Sequence, residues 1–152
     1  GSKILIVEDN DINQELVVEL LSQNGIFIEA VYNGQEALDI LVYKQFDGVL
    51  MDCQMPVMDG YEATRQIRAQ EKFNDLPIIA MTANAMKGDK EKVIAAGMND
   101  HITKPINVKD MFTELTLNRI KNAIQMNSKK ARGCAKIIRI FLHNKNAAKQ
   151  KK

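Results

Sequence analysis

Cysteine is scarce in this chain of 152 residues: only Cys53 and Cys134 occur. Two are too few for a disulfide framework, and the expectation is a reducing, cytoplasmic setting. Histidine is equally rare, present at His101 and His143 alone. No apolar run approaches the roughly 20 residues of a membrane span, and Gly1-Ser2-Lys3 leads straight into a strand pattern without a signal-peptide core. Gly1-Ser2 reads as a cloning scar, which implies an excised domain of a parent protein that is itself membrane-anchored or not. Acid is missing from the tail. Residues 1–115 carry 10 Lys/Arg against 19 Asp/Glu, net −9, whereas residues 116–152 carry 11 Lys/Arg and no acid, net +11. The overall charge of +2 describes neither part. A glycine-rich phosphate loop is also absent after the first apolar run, where Glu8-Asp9-Asn10-Asp11 stands instead. An acidic loop repels a nucleotide or flavin phosphate, so such a binding module is the weaker reading.

Four short apolar segments each end on a reactive polar residue. They are Ile4 to Val7 before Glu8-Asp9, Gly48 to Met51 before Asp52, Ile78 to Met81 before Thr82, and His101 to Thr103 before Lys104-Pro105. A fifth apolar run, Ile26 to Ala30, comes directly after Gly25. Helical patterns lie between them. Ile12, Leu16, Val17, Leu20 and Leu21 share one face, with Gly25 as a left-handed stop. Asn33 can cap a helix carrying Ala37, Leu38, Ile40 and Leu41, and Asp59 with Glu62 has capping-box spacing for a helix to about Ala69. Gly97 closes a helix after Val93 and Ile94, and Asn107 and Asp110 open a last one. Strands alternating with helices imply right-handed crossovers and a sheet covered on both faces, which explains continuously apolar strands. The expected fold is α/β, a flavodoxin-like (βα)5 doubly wound sandwich with a five-stranded parallel sheet in order 2-1-3-4-5. A domain of roughly 120 residues buries about two-thirds of its unfolded surface, enough for one core.

In such a sheet the carboxyl ends of the strands share one edge, where ligands bind. Glu8, Asp9 and Asp52 would converge there with Thr82 and Lys104. Three carboxylates in a partly dry cleft repel one another unless a cation neutralises them. An oxygen-only ligand set without His or Cys points to Mg2+, with Mn2+ as the alternative.

The run Ile4-Leu-Ile-Val-Glu-Asp-Asn10, the segment Met51-Asp-Cys-Gln-Met-Pro-Val-Met-Asp-Gly60, the Met81-Thr82-Ala83 turn and Thr103-Lys104-Pro105 together resemble the receiver domain of two-component response regulators. With Tyr61-Glu62-Ala63-Thr64, the wording is most similar to receivers of hybrid sensor histidine kinases. The resemblance spans about residues 3–120 and leaves 121–152 as a basic extension. It implies that Asp9, Asp52 and the backbone carbonyl of Gln54 ligate the metal directly, with Glu8 acting through water. It makes Asp52 the phosphorylated nucleophile, since a carboxylate can carry a phosphoryl group as an acyl phosphate. Lys104 then offers a point charge to a phosphoryl oxygen, while Thr82 and the Ala83 amide offer hydrogen bonds. Pro105 holds the Lys104 loop. The donor would be a phosphohistidine on a sensor histidine kinase or a histidine-phosphotransfer domain; His101 is not that donor. Thr82 and His101 are the expected switch positions, and the helix near Lys87 to Ala96, the fifth strand and the helix from Asn107 form the expected output or dimer face. His101 stands where the family commonly has a rotating Tyr or Phe, so a relay that passes phosphate onward is expected over a strong conformational switch.

Singly, these residues have plainer readings. Glu8 and Asp9 can favour a following helix through its dipole, Thr82 suits a turn, and Asp59 is a cap. Cys53 and the methionines Met51, Met55 and Met58 read as packing. An aspartyl-phosphate hydrolase would need a second acid as general acid, yet Gln54 stands two residues after Asp52. The basic tail from Thr116 is too short for an output domain. It reads as a linker or expression-derived segment, less as a partner-contacting helix, and least as a nucleic-acid arm. No four-helix bundle can be assembled around His143, so it is not a phosphotransfer histidine.

Overall fold

The computed structural model describes residues 3–22, 27–84 and 86–104. Gly25, Ile26, Pro105, the helix expected from Asn107, and the tail with Cys134 and His143 lie outside the described residues.

The chain alternates strand and helix in the order β1 (Lys3–Val7), α1 (Asp11–Ser22), β2 (Phe27–Val31), α2 (Gly34–Tyr43), β3 (Gly48–Asp52), α3 (Gly60–Arg68), β4 (Ile78–Thr82), α4 (Lys87–Ala96) and β5 (Asp100–Thr103). The five strands form one sheet in the order β2-β1-β3-β4-β5, and every pairing is parallel. This is the expected doubly wound fold. β1 from Ile4 to Val7 and β4 from Ile78 to Met81 are continuously apolar because both faces of the sheet are covered. Ile4, Leu5, Ile6 and Val7 are all fully buried. Successive side chains point to opposite faces, so Leu5 and Val7 pack with Ala37, Leu41, Ala63, Ile67 and Val93 from α2, α3 and α4. Ile4 and Ile6 pack instead with Val17 and Leu21 of α1.

The starts of α2 and α3 follow the capping rules, whereas α4 begins after Met86 without a side-chain cap. Asn33 Oδ1 accepts from the Glu36 amide at 2.9 Å, and Asp59 Oδ1 accepts from the Glu62 amide at 2.8 Å. The capping box at α3 is only half formed: the Glu62 carboxylate turns forward to Arg65 and Gln66. Gly97 ends α4 in the left-handed conformation, φ 101°. Ile12 departs from the sequence reading, since it is 76% exposed at the solvent end of α1 and does not join the buried face. A short 3-10 turn, Glu71–Phe73, intervenes before β4.

Arg68 closes the opposite end of the sheet. Its guanidinium donates to the carbonyls of Gly97 (2.8 Å) and Phe73 (2.6 Å) and to Asn99 Oδ1 (3.0 Å). The same Asn99 oxygen accepts from the Ile78 amide at 2.8 Å. The ends of α3 and α4 are thereby tied to the start of β4, away from the carboxyl edge of the strands.

Candidate functional site

β1, β3, β4 and β5 run parallel and end together, so the residues just past their carboxyl ends meet at one edge. Glu8 continues the β1–β2 ladder, its amide donating to the Val31 carbonyl at 3.1 Å, and its side chain is fully buried. Asp52 is the last residue of β3 and 3% exposed. Lys104 comes directly after β5 and is anchored by its amide, which donates to the Thr82 carbonyl at 2.6 Å. From there its ammonium reaches Glu8 Oε2 at 2.8 Å and Asp52 Oδ2 at 2.9 Å. The remaining carboxylate oxygens meet backbone amides: Asn10 donates to Glu8 Oε1 at 3.1 Å and Gln54 to Asp52 Oδ1 at 3.2 Å. Asp9 stands exposed beside them. Glu8, Asp9 and Asp52 each offer an oxygen, all within 4.8 Å of one another.

Three carboxylates against one ammonium leave an excess of negative charge in a mostly buried cleft. Burial, reinforced by the Glu8 charge, pushes the Asp52 carboxyl up to about 6, against the opposing hydrogen bonds from Lys104 and Gln54. Burial alone would lower Lys104, but its bonds to Glu8 and Asp52 outweigh that and hold it above its ordinary value. Hard oxygen ligands with surplus negative charge fit a divalent cation such as Mg2+.

The raised Asp52 carboxyl has a defined consequence for stability. A folded-state value above the ordinary 3.8 means that the folded chain binds this proton more tightly than the unfolded chain does. Asp52 therefore takes nothing from stability below about pH 4 and withdraws it progressively as pH rises to about 6. In a chelating buffer at pH 7.5, Asp52→Asn is expected to raise the unfolding free energy by about 1–3 kcal/mol. In urea titrations the gap from the wild type should close below about pH 4.

Thr82 is buried, and its hydroxyl donates to the Asn84 carbonyl at 2.7 Å instead of facing Asp52. Ala83 is exposed beside it. Cys53 packs in the core, and burial pushes its thiol up to about 11, so it is no reactive thiolate. Met51, Met55 and Met58 pack against the same core, as expected. His101 lies buried on β5, with Asp100 accepting from its amide at 2.8 Å. Two contributors were not anticipated from sequence. Gly60 approaches so closely that a Cβ would stand 2.0 Å from the Asp52 carbonyl oxygen. Tyr61 packs against the core behind the site, and burial, with the Cys53 thiol beside it, pushes its hydroxyl up. The Asp59-Gly60 step at the helix start carried a signal for the first; the second entered only through the resemblance of Tyr61-Glu62-Ala63-Thr64, with no sign of a place behind the site.

A doubly wound parallel sheet with two buried acids and a lysine meeting at its carboxyl edge defines a receiver fold of the CheY type. The chain belongs to the response regulator receiver domain family, whose model matches residues 4–116, the phosphoacceptor module of two-component phosphorelays. More particularly, its relatives are receivers of hybrid histidine kinases. It is 45% identical over 118 residues to hybrid signal transduction histidine kinase I of Dictyostelium discoideum, covering 72% of this chain and 7% of that protein. The chain thus spans a small part of that relative's length. Among solved structures it is similar to the receiver domain of a sensor histidine kinase of Pseudomonas aeruginosa PAO1, which has a magnesium ion coordinated in its active-site cleft. That match has 45% identity and a TM-score of 0.66, covering 79% of this chain and 93% of that one. A receiver of the Saccharomyces cerevisiae response regulator Ssk1, solved in complex with the histidine phosphotransfer protein Ypd1, matches at 35% identity and a TM-score of 0.66. It covers 76% of this chain and 90% of that one. Among the described residues, no helix is long and apolar enough to cross a membrane.

Proposed function

We propose that Asp52 is the phosphoacceptor and that it receives its phosphoryl group from a phosphohistidine on a sensor kinase or histidine-phosphotransfer domain. The observation that carries this is the position of Lys104, bridging Glu8 and Asp52 at 2.8 and 2.9 Å in a cleft that Asp9 opens to solvent. An Asp52 carboxylate oxygen attacks phosphorus, the bond from phosphorus to the donor imidazole breaks, and the imidazole nitrogen keeps the electron pair and takes a proton from solvent. The product is an acyl phosphate. Glu8, Asp9, Asp52 and the Gln54 carbonyl would hold Mg2+, or Mn2+ with the same donors, and Glu8, already engaged by Lys104 and Asn10, contributes through water. When bound, such an ion supplies positive charge to phosphoryl oxygens that three carboxylates would otherwise repel. The relative with magnesium in its cleft supports this assignment.

Lys104 has two acceptors to leave before it can reach a phosphoryl oxygen, and Thr82 must release the Asn84 carbonyl before its hydroxyl can do so. The Ala83 amide, on the exposed turn, is the companion donor, and Pro105 follows Lys104 in the same loop. Both rearrangements break only contacts within the cleft and its loops, which suits a relay that reloads often, and His101 replaces the family's rotating aromatic. Homodimerisation would use α4, β5 and the segment from Asn107, where Ile94 is half exposed. The setting is cytoplasmic. The reading is tested by mixing the chain with a phosphorylated histidine-phosphotransfer domain carrying radiolabelled phosphate. Label is expected to move to the chain only with Mg2+ present; label that stays on the donor, or moves equally well in chelator, contradicts it.

A further inference from the structure

Among the described residues Val57 alone combines a side chain with a positive φ, at 71°. It is the centre of a three-residue turn closed by the Met58 amide donating to the Pro56 carbonyl at 2.9 Å. This is a γ-turn geometry, rare and strained, and a β-branched residue suits it least. Its neighbours impose it. The Met58 carbonyl accepts from the Gly34 amide at 3.1 Å, Asp59 caps α3, and the Gly60 amide reaches the Cys53 carbonyl at 3.2 Å. Glycine or asparagine would adopt this φ with less strain. A branched apolar side chain can offset the strain by packing, yet Val57 is 84% exposed. Among the described residues no packing accounts for valine at the tip of the loop that follows Asp52.

Two more large apolar side chains lie exposed at the same edge of the sheet. Ile12 is 76% exposed at the start of α1, directly after the Glu8-Asp9 loop, and Met86 is 74% exposed immediately before α4, four residues after Thr82. With Val57 in the β3–α3 loop, they stand on three strand-to-helix junctions at the carboxyl edge that carries Glu8, Asp9, Asp52 and Lys104. Asp52 is itself only 3% exposed, so a protein bringing a phosphoryl group to it must press on this rim. A small acyl phosphate need not.

We propose that Val57 is a docking residue, its strained and exposed side chain entering an apolar patch beside the donor's phosphohistidine, with Ile12 and Met86 extending the contact. The proposal rests on Asp52 being the phosphoacceptor, and its test separates the two. Val57→Asn and Val57→Ile are made in the full chain and phosphorylated by acetyl phosphate. They are then phosphorylated by whichever of a set of purified, phosphorylated histidine-phosphotransfer domains serves the wild type fastest. Val57→Asn is expected to raise Tm by about 2–4 °C through relief of the turn. Its rate with acetyl phosphate should stay within about twofold of wild type, while transfer from the phosphohistidine domain at subsaturating concentration falls about fivefold or more. Val57→Ile, branched and apolar, should transfer like the wild type. Unchanged transfer to Val57→Asn overturns the proposal. So does an equal loss with acetyl phosphate, or a wild type that accepts from acetyl phosphate and from no phosphohistidine domain. A wild type that takes no phosphoryl group even from acetyl phosphate overturns the assignment of Asp52 instead.

Discussion

Lys104→Met lowers the unfolding free energy by about 3 kcal/mol at pH 7.5 in a chelating buffer, because removing one partner of a buried ion pair leaves its charge uncompensated. Here one ammonium serves two carboxylates, Glu8 fully buried and the Asp52 side chain 5% exposed. Methionine keeps the stem's volume and packing, so the loss reports the charge. With the Lys104 bond gone, the Asp52 carboxyl rises further and takes a proton at higher pH. Part of the loss should therefore be recovered on acidification, and urea titrations between pH 5 and 8 read this directly. Added Mg2+ should stabilise the variant more than the wild type, since it meets the same acids without a competing ammonium. Phosphoryl adduct formation should slow by roughly 10–10²-fold through loss of positive charge at the transferring group. A variant as stable as the wild type, with an unchanged Mg2+ response, would show that Lys104 does not neutralise these acids.

At Gly60 steric contact produces a loss of similar size. The β3–α3 loop folds back so that Gly60 lies against the end of β3. An added Cβ would stand 2.0 Å from the Asp52 carbonyl oxygen and 2.9 Å from both its carbonyl carbon and Met51 Cγ. Two of these three contacts are backbone, which cannot swing aside. Gly60→Ala is expected to cost about 2–4 kcal/mol as α3 is pushed away and the Gly60 bond to the Cys53 carbonyl at 3.2 Å breaks. The displacement acts on Asp52 itself, so adduct formation should fall with stability, and the Asp52 and Cys53 amide resonances should shift most. Gly88→Ala is the control of opposite sign. Nothing lies within 4 Å of a Cβ there, and in the exposed first turn of α4 alanine should add about 0.5–1 kcal/mol. If both alanines behave alike, the close approach at Gly60 does not constrain the loop.

The inner strands and their site residues were legible for one reason: a covered parallel sheet makes β1, β3 and β4 nearly continuously apolar and sets the next polar residue at the shared edge. Glu8, Asp52 and Thr82 could be placed from that rule, and Lys104 from its position after the last short segment, although β5 is largely polar. Helix caps at Asn33 and Asp59 and the stop at Gly97 were legible because their signals are local. The hidden features depend on contacts distant in sequence. The reach of Arg68 to Gly97 and Asn99 has no local pattern, and neither does the crowding of Gly60 against Asp52. Ile12 fitted a helical stripe yet lies beyond the sheet it would pack on, since periodicity gives direction and not depth. Thr82 was recognised as a hydroxyl at the right edge, but its bond to the Asn84 carbonyl depends on a rotamer the sequence does not encode. Val57 gave no sign of its φ, because a valine there contradicts the residue preference of its own turn.

Intact-mass spectrometry tests the central claim most directly, with acetyl phosphate as donor, with and without Mg2+, on this chain and on Asp52→Ala. The account predicts one phosphoryl adduct on the wild-type chain with Mg2+, and none without the ion or without the Asp52 carboxylate. An adduct that persists in Asp52→Ala, or none on the wild type under any condition, would contradict it.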